Sequence, residues 1–377
     1  MKIEGLTADL YRIPPSIHWE DATHRVPALE FVVAQVHTDA GVVGTGFTYS
    51  VGVGGSAILS LLLDYCAGML VGQDPLRIAQ VWDLLHGQLH RCGTGGINTL
   101  ALAAVDLALW DIAGKHYDTS VYRLLGGTRD SVPAYGSGIN LHLDESALLS
   151  QVEGLLNRGF STFKIKIGRD DPYEDLARIE AVQRLIGSKH HLIVDANQKW
   201  NFAEALPRAQ LLRDHGLLFL EEPLHAEDIS GHAGLRQLTG MAIAAGESLY
   251  TNHQFLEYLR ADAVDIVQAD ICRVGGLTPF VQIAQLAHAF HRKVAPHFLA
   301  EISVTGLCGI PNGLILEWVL GGSLSEMGVL EEPLRLENGV AYPFDRPGHG
   351  IRFDFARLAP YRLDAEQLRK LDLRSAK

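Results

Sequence analysis

The sequence predicts an α/β protein: a closed barrel of repeated strand–helix units behind a smaller α+β domain, with a short return segment at the end. Two observations predict it. Between residues ~132 and ~320, eight short apolar runs alternate with amphipathic helical stretches. From the second run to the eighth, each ends in an ionisable residue: Lys164 and Lys166, Asp195, Glu221, Glu247, Asp270, His297 and Glu317.

The first ~50 residues read as an antiparallel meander. The strand-like runs "LEFVVAQVHT" and "GVVGTGFTYS" are joined at Asp39-Ala40-Gly41, a hairpin signal. Glycine-rich "TYSVGVGGS" reads as a mobile loop, and residues ~56–125 as helical. Within them "TLALAAVDLALWDIAGKHY" is almost wholly apolar, which predicts a buried helix.

After "LLGGTRDSVPAYGSG" the runs are "VPAYGSGI", "STFKIKIG", "HLIVDAN", "LLFLEEP", "AIAAGES", "AVDIVQAD", "RKVAPHF" and "LILEWV". Helical stretches such as "YEDLARIEAVQRLIG" separate them. Eight βα units predict a closed (β/α)8-type barrel, and no GxGxxG opens the first unit to suggest a dinucleotide fold.

Composition excludes several classes. Net charge is −12, from 32 Lys+Arg against 44 Asp+Glu, and no basic run stands out, so a nucleic-acid partner is not expected. No stretch reaches the roughly 20 apolar residues of a membrane span, and "MKIEGLTADL" has no signal-peptide pattern. Cys66, Cys92, Cys272 and Cys308 are far apart with no CxxC, which predicts reduced thiols and a cytoplasmic location.

The ionisable strand ends carry the chemistry. Spacings from Asp195 onward are 26, 26, 23, 27 and 20, about one βα unit each. In a barrel these ends converge on one mouth. Asp195, Glu221 and Glu247 are oxygen donors suited to Mg2+, with places left for substrate and water. Asn197 supports the metal, bonds substrate or is a turn residue after the strand. Lys164 and Lys166 share one face of their strand, which in isolation would be a solvent face. The downstream carboxylates place that face inside. Lys164 then binds a substrate oxygen and, with the divalent cation, lowers the pKa of Lys166, the proton-transfer group. His297, from the seventh strand, faces Lys166 across the mouth, with Asp270 to orient it. Glu317 is either protonated beside a substrate oxygen or anchors a lysine.

Taken together these motifs resemble the enolase superfamily, specifically its mandelate racemase subgroup. The Lys164/Lys166 KxK, the carboxylates Asp195, Glu221 (in "EEP") and Glu247 (in "GES"), the Asp270/His297 dyad and "DLALWDIAGK" carry the resemblance. It implies a modified TIM barrel, (β/α)7β, at residues 126–320, an α+β capping domain at 1–125, and a C-terminal segment at 321–377 packing back on the cap. Muconate-type relatives carry a lysine where "DICRVGG" has Arg273, which favours the racemase type.

The resemblance further implies Mg2+-dependent removal of the proton α to a carboxylate, through an ene-diolate, in a homo-oligomer. "GFTYS", "VDANQKWN", "EEPLHAEDISGHAGL" and "VAPHF" look most like acid-sugar dehydratases of the talarate/galactarate type. A hexarate dehydratase, with some epimerisation, is the expectation. His18, Arg25 and Tyr49, in the loops of the cap, are the candidate contacts to distal substrate groups. A 2-hydroxy-acid racemase and a non-catalytic sugar-acid-binding barrel are the alternatives.

Overall fold

The computed structural model describes residues 1–364, 366 and 367; the rest of the expected return lies outside the described residues. Strands β1 (Ile3–Ile13), β2 (Leu29–Thr38) and β3 (Val43–Ser50) form an antiparallel sheet in chain order. The turn between β2 and β3 falls at Asp39-Ala40-Gly41, with Gly41 at φ 74°. The apolar helix Ile97–His116 lies against this sheet. Its approach is close because β3 presents Gly44 and Gly46: a Cβ on either would sit 2.1 and 1.9 Å from the carbonyls of Ala108 and Ala104. By length and composition the helix would suffice to cross a membrane, contrary to the expectation that no stretch reaches that length; 89% of its apolar window is buried inside the protein.

Eight parallel strands follow: β4 (Val132–Ser137), β5 (Thr162–Lys166), β6 (His191–Asp195), β7 (Leu220–Glu221), β8 (Ile243–Ala245), β9 (Ile266–Val267), β10 (Lys293–Val294) and β11 (Leu316–Val319). They pair in chain order to β10, while β11 pairs with β4. Leu314 N donates to Val294 O at 2.7 Å, which closes the ring between β10 and the approach to β11. Seven helices, from Glu145–Asn157 to Ala300–Cys308, connect consecutive strands. This is the expected (β/α)7β barrel.

Tyr135, Ile193, Phe219, Ala244, Ile266, Ala295 and Ile315 fill its interior. Ile193, Phe219, Ala295 and Ile315 stand two residues before Asp195, Glu221, His297 and Glu317. A strand repeats every two residues, so the ionisable groups share the inward face one layer nearer the mouth. Among the described residues nine non-glycines have positive φ, and Asn197, Gln198, Glu222, Phe298 and Leu299 are all at this end of the barrel. Backbone strain of this kind persists where the surroundings over-determine it.

The chain then returns. The hairpin β12 (Leu336–Glu337) and β13 (Val340–Ala341) pairs antiparallel with β4. Further on, His349 Nε2 lies 2.6 Å from Thr45 O in β3, and Leu363 N donates to Leu10 O in β1 at 2.8 Å.

Candidate active site

Parallel pairing puts Lys166, Asp195 and Glu221 level with one another across β5, β6 and β7. Neighbouring strands are ~4.8 Å apart, so level side chains on one face must touch. Lys166 Nζ lies 2.5 Å from Asp195 Oδ2. Lys164 Nζ, from one layer below, lies 2.7 Å from Glu221 Oε1, 2.6 Å from Glu317 Oε1 and 3.3 Å from Asp195 Oδ2. Both lysines are at most 3% exposed, so their face is the barrel interior.

Burial is the strongest influence and would lower the Lys166 pKa, but Asp195, Glu221 and Asp21 together outweigh it and hold the ammonium above the ordinary lysine value. In the protein alone the Asp195 carboxylate is paired with the lysine, whereas the expected lowering is for a lysine with a divalent cation beside it. Lys164 is raised in the same way against burial, by Glu221 and Glu317. Burial opposes ionisation of Glu317, yet Lys164 draws its pKa down to about 2. Glu317 therefore pairs with Lys164, the anchoring one of its two expected roles. It also accepts from Ser137 Oγ and from Phe298 N, each at 2.8 Å.

The donor set suits a hard divalent cation. Glu221 Oε2 and Asn197 Oδ1 are buried with no hydrogen-bond partner, and burial with the neighbouring Asp195 pushes the Glu221 carboxyl up. An oxygen-seeking cation would satisfy these atoms, which otherwise cost free energy to bury. Among the described residues no three such side chains stand as a finished metal cage, because the lysines are drawn in between. Glu247 stands on the far side, 3.4 Å from both Arg273 Nη1 and His297 Nε2.

The dyad is formed. His297 Nδ1 lies 2.8 Å from Asp270 Oδ2 and donates to it, which turns Nε2 toward Glu247 and the cavity. Burial raises Asp270, but His297 and Arg273 bring it below the ordinary carboxylate value.

Lys164, Lys166, Asn197, Glu247, His297, Glu317 and Tyr49 all line one cavity of about 500 Å³. The capping-loop candidates divide. His18 and Arg25 do not line it: both are turned to Glu20, at 3.4 and 2.9 Å, with side chains about half exposed. Tyr49 does line it, but its hydroxyl donates to Asp270 Oδ2 at 2.6 Å rather than standing free for substrate. The cap instead supplies Trp19, Asp21, Thr23 and His24 to the wall. Asp21 Oδ1 accepts from the backbone N–H groups of Thr23 and His24, both at 2.7 Å, fixing that turn. Glu222 is also in the wall and was passed over in the sequence. Its signal was the doubled glutamate of "EEP"; φ 39° turns it into the mouth, where Gln198 Nε2 donates to it at 3.1 Å. Burial and Glu247 push the Glu222 carboxyl up.

Family models match on both sides of this architecture. Residues 11–126 match the mandelate racemase / muconate lactonizing enzyme N-terminal domain, and 147–357 the enolase C-terminal domain-like family. A 3,6-anhydro-alpha-L-galactonate cycloisomerase of Streptomyces coelicolor is 34% identical over 94% of this chain and 98% of its own. An L-talarate/galactarate dehydratase of Salmonella typhimurium is 33% identical, over 87% and 81%. The crystal structure of L-talarate dehydratase from Polaromonas sp. JS666, complexed with Mg and L-glucarate, superposes with a TM-score of 0.88 at 30% identity, over 96% and 98% of the chains. The relatives thus include enzymes of both reaction types acting on sugar acids.

Proposed function

We propose, from the premise that this chain belongs to the mandelate racemase and muconate lactonizing enzyme group of the enolase superfamily, that it removes the proton α to the carboxylate of a sugar acid and expels the oxygen at the β-carbon. The observation that carries the reading is that Lys166 and His297, two potential bases from the second and seventh barrel strands, line one cavity with oxygen donors for a metal.

In this reading Asp195, Glu221 and Glu247 hold Mg2+, which supplies positive charge to the substrate carboxylate. Lys164 adds a second fixed charge where negative charge develops in the ene-diolate. One base takes the α-proton. His297, once protonated, delivers a proton to the departing β-oxygen from the other face. A β-hydroxyl leaves as water and gives a keto-deoxy acid. A β-oxygen that is part of a ring leaves without loss of mass, so one set of residues serves dehydration and ring-opening isomerisation. A hexarate of the talarate/galactarate type, with epimerisation as a side reaction, is the substrate proposed. The similarity to the cycloisomerase makes anhydro and lactone forms of sugar acids the second class to test.

The test is a screen of the Mg2+-loaded protein against mono- and diacid sugars and their cyclic forms. Keto-acid formation would be read with semicarbazide, product mass by mass spectrometry, and α-deuterium incorporation in D2O. A keto product lighter by one water supports dehydration, and one of equal mass supports ring opening. Exchange without keto product supports a racemase or epimerase. Silence from every acid sinks the reading, and binding without turnover would leave a sugar-acid-binding barrel.

A further inference from the structure

Asp270 is held by three donors. Tyr49 Oη at 2.6 Å and His297 Nδ1 at 2.8 Å both reach Oδ2, and the Arg273 backbone N–H reaches Oδ1 at 2.9 Å. The first of these comes from the capping domain, at the end of β3, 221 residues before Asp270. Tyr49 is 1% exposed, so this hydroxyl has no water to fall back on.

The same tyrosine grips the other side of the histidine. Phe298, next in the chain after His297, has φ 54°, and Leu299 has φ 32°. Two consecutive left-handed non-glycines are costly, and something must keep them there. The Phe298 ring packs edge-on at 4.8 Å from the Tyr49 ring and 6.1 Å from Trp19, also of the capping domain. Lys166 does not lean on Tyr49: its side chain bonds to Asp195 and its backbone N–H to Asn140 Oδ1 at 3.0 Å, in a segment that pairs with Glu20 of the cap instead.

We propose that Tyr49 is a positioning residue for His297. Its hydroxyl fixes the Asp270 carboxylate that orients the imidazole, and its ring holds the strained Phe298 backbone. The His297 side of the site is therefore assembled only with β3 of the cap in place, whereas the bonds of Lys166 run to Asp195 and Asn140 and do not pass through Tyr49. Substrates that need His297 meet a base whose geometry the cap controls.

Tyr49→Phe keeps the ring and removes only the hydroxyl. Two measurements on the full-length, Mg2+-loaded protein test the proposal. The first is the proton NMR signal of the His297 Nδ1–H, identified by its loss in His297→Asn. In Tyr49→Phe it is expected to shift and to exchange with solvent about tenfold faster; an unchanged signal overturns the proposal. The second rests on the proton-abstraction reading above and follows α-deuterium exchange in two α-epimers of a sugar acid. The epimer that faces His297 is the one silenced by His297→Asn, and the other the one silenced by Lys166→Ala. Tyr49→Phe is expected to slow the first by about tenfold or more, the loss usual for an orienting partner, and to leave the second within about twofold. Equal losses in both, or none, overturn it. If the wild type exchanges with no acid, the proton-abstraction reading fails, while the Nδ1–H signal still decides the role of Tyr49.

Discussion

Lys164 Nζ lies 2.6 Å from Glu317 Oε1, with both side chains buried in the barrel. Breaking a buried pair strands a charge and costs about 3–5 kcal/mol, so Glu317→Gln should lower unfolding stability by that order. Denaturant titration checks it. A loss under about 0.5 kcal/mol would mean that Glu221 alone satisfies the lysine.

Glu221 and Glu222 are adjacent in the chain but differ in surroundings. Glu221 has one unpartnered oxygen beside Asp195, whereas both oxygens of Glu222 accept from Gln198. Calorimetric titration with Mg2+ should show about tenfold or greater weakening in Glu221→Gln and a smaller change in Glu222→Gln. The reverse order would move the metal to Glu222.

Arg25 is paired with Glu20 outside the cavity, and His24 lines it. Arg25→Ala should therefore change KM by less than about twofold for mono- and diacids alike, the range of an exposed ion pair. His24→Ala should raise KM for the accepted acid. A diacid-selective rise in Arg25→Ala would show that the loop turns inward on binding.

Asp106, on the helix Ile97–His116, accepts from Thr278 N at 3.0 Å at the start of the helix Leu277–Ala289. Burial pushes its pKa up to about 7, with the bonds to the Thr278 side chain and backbone pulling the other way. An acid whose folded pKa exceeds the unfolded value of about 3.9 favours the folded state when protonated. That contribution is complete below about pH 4, is lost as pH rises toward 7, and is on the order of 4 kcal/mol. Asp106→Asn keeps an acceptor oxygen without the titration, so its Tm should fall less than that of the wild type between pH 4 and 8. Parallel curves would place the Asp106 pKa near the unfolded value.

Much of the site was legible because a barrel turns sequence spacing into position. One βα unit of spacing brought each strand-end residue to the mouth, and the alternation of Lys164 and Lys166 fixed their common face. Loops carry no such period. Nothing in "SIHWEDATHR" distinguishes His24, which enters the cavity, from Arg25, which Glu20 holds outside. The fate of Lys166 was also hidden, because it depends on whether Asp195 is paired with the lysine. The bond from Tyr49 to Asp270 spans 221 residues and two domains, and no local pattern announces a contact of that range.

The return of the chain to the first sheet has a consequence for how the protein is made. Residues 1–50 leave the ribosome well before their partners His349 and Arg362. Until then the β1 edge, which Arg362 and Leu363 meet, lies bare, and Phe47 lacks the Phe353 ring 5.3 Å away. Bare strand edges beside apolar surface are where nascent chains stick to one another. The barrel can close as it emerges, whereas the cap must wait for the returning segment. Premature termination after the last barrel strand would thus release a closed barrel under an unfinished lid, with the His297 side of the site left unsupported.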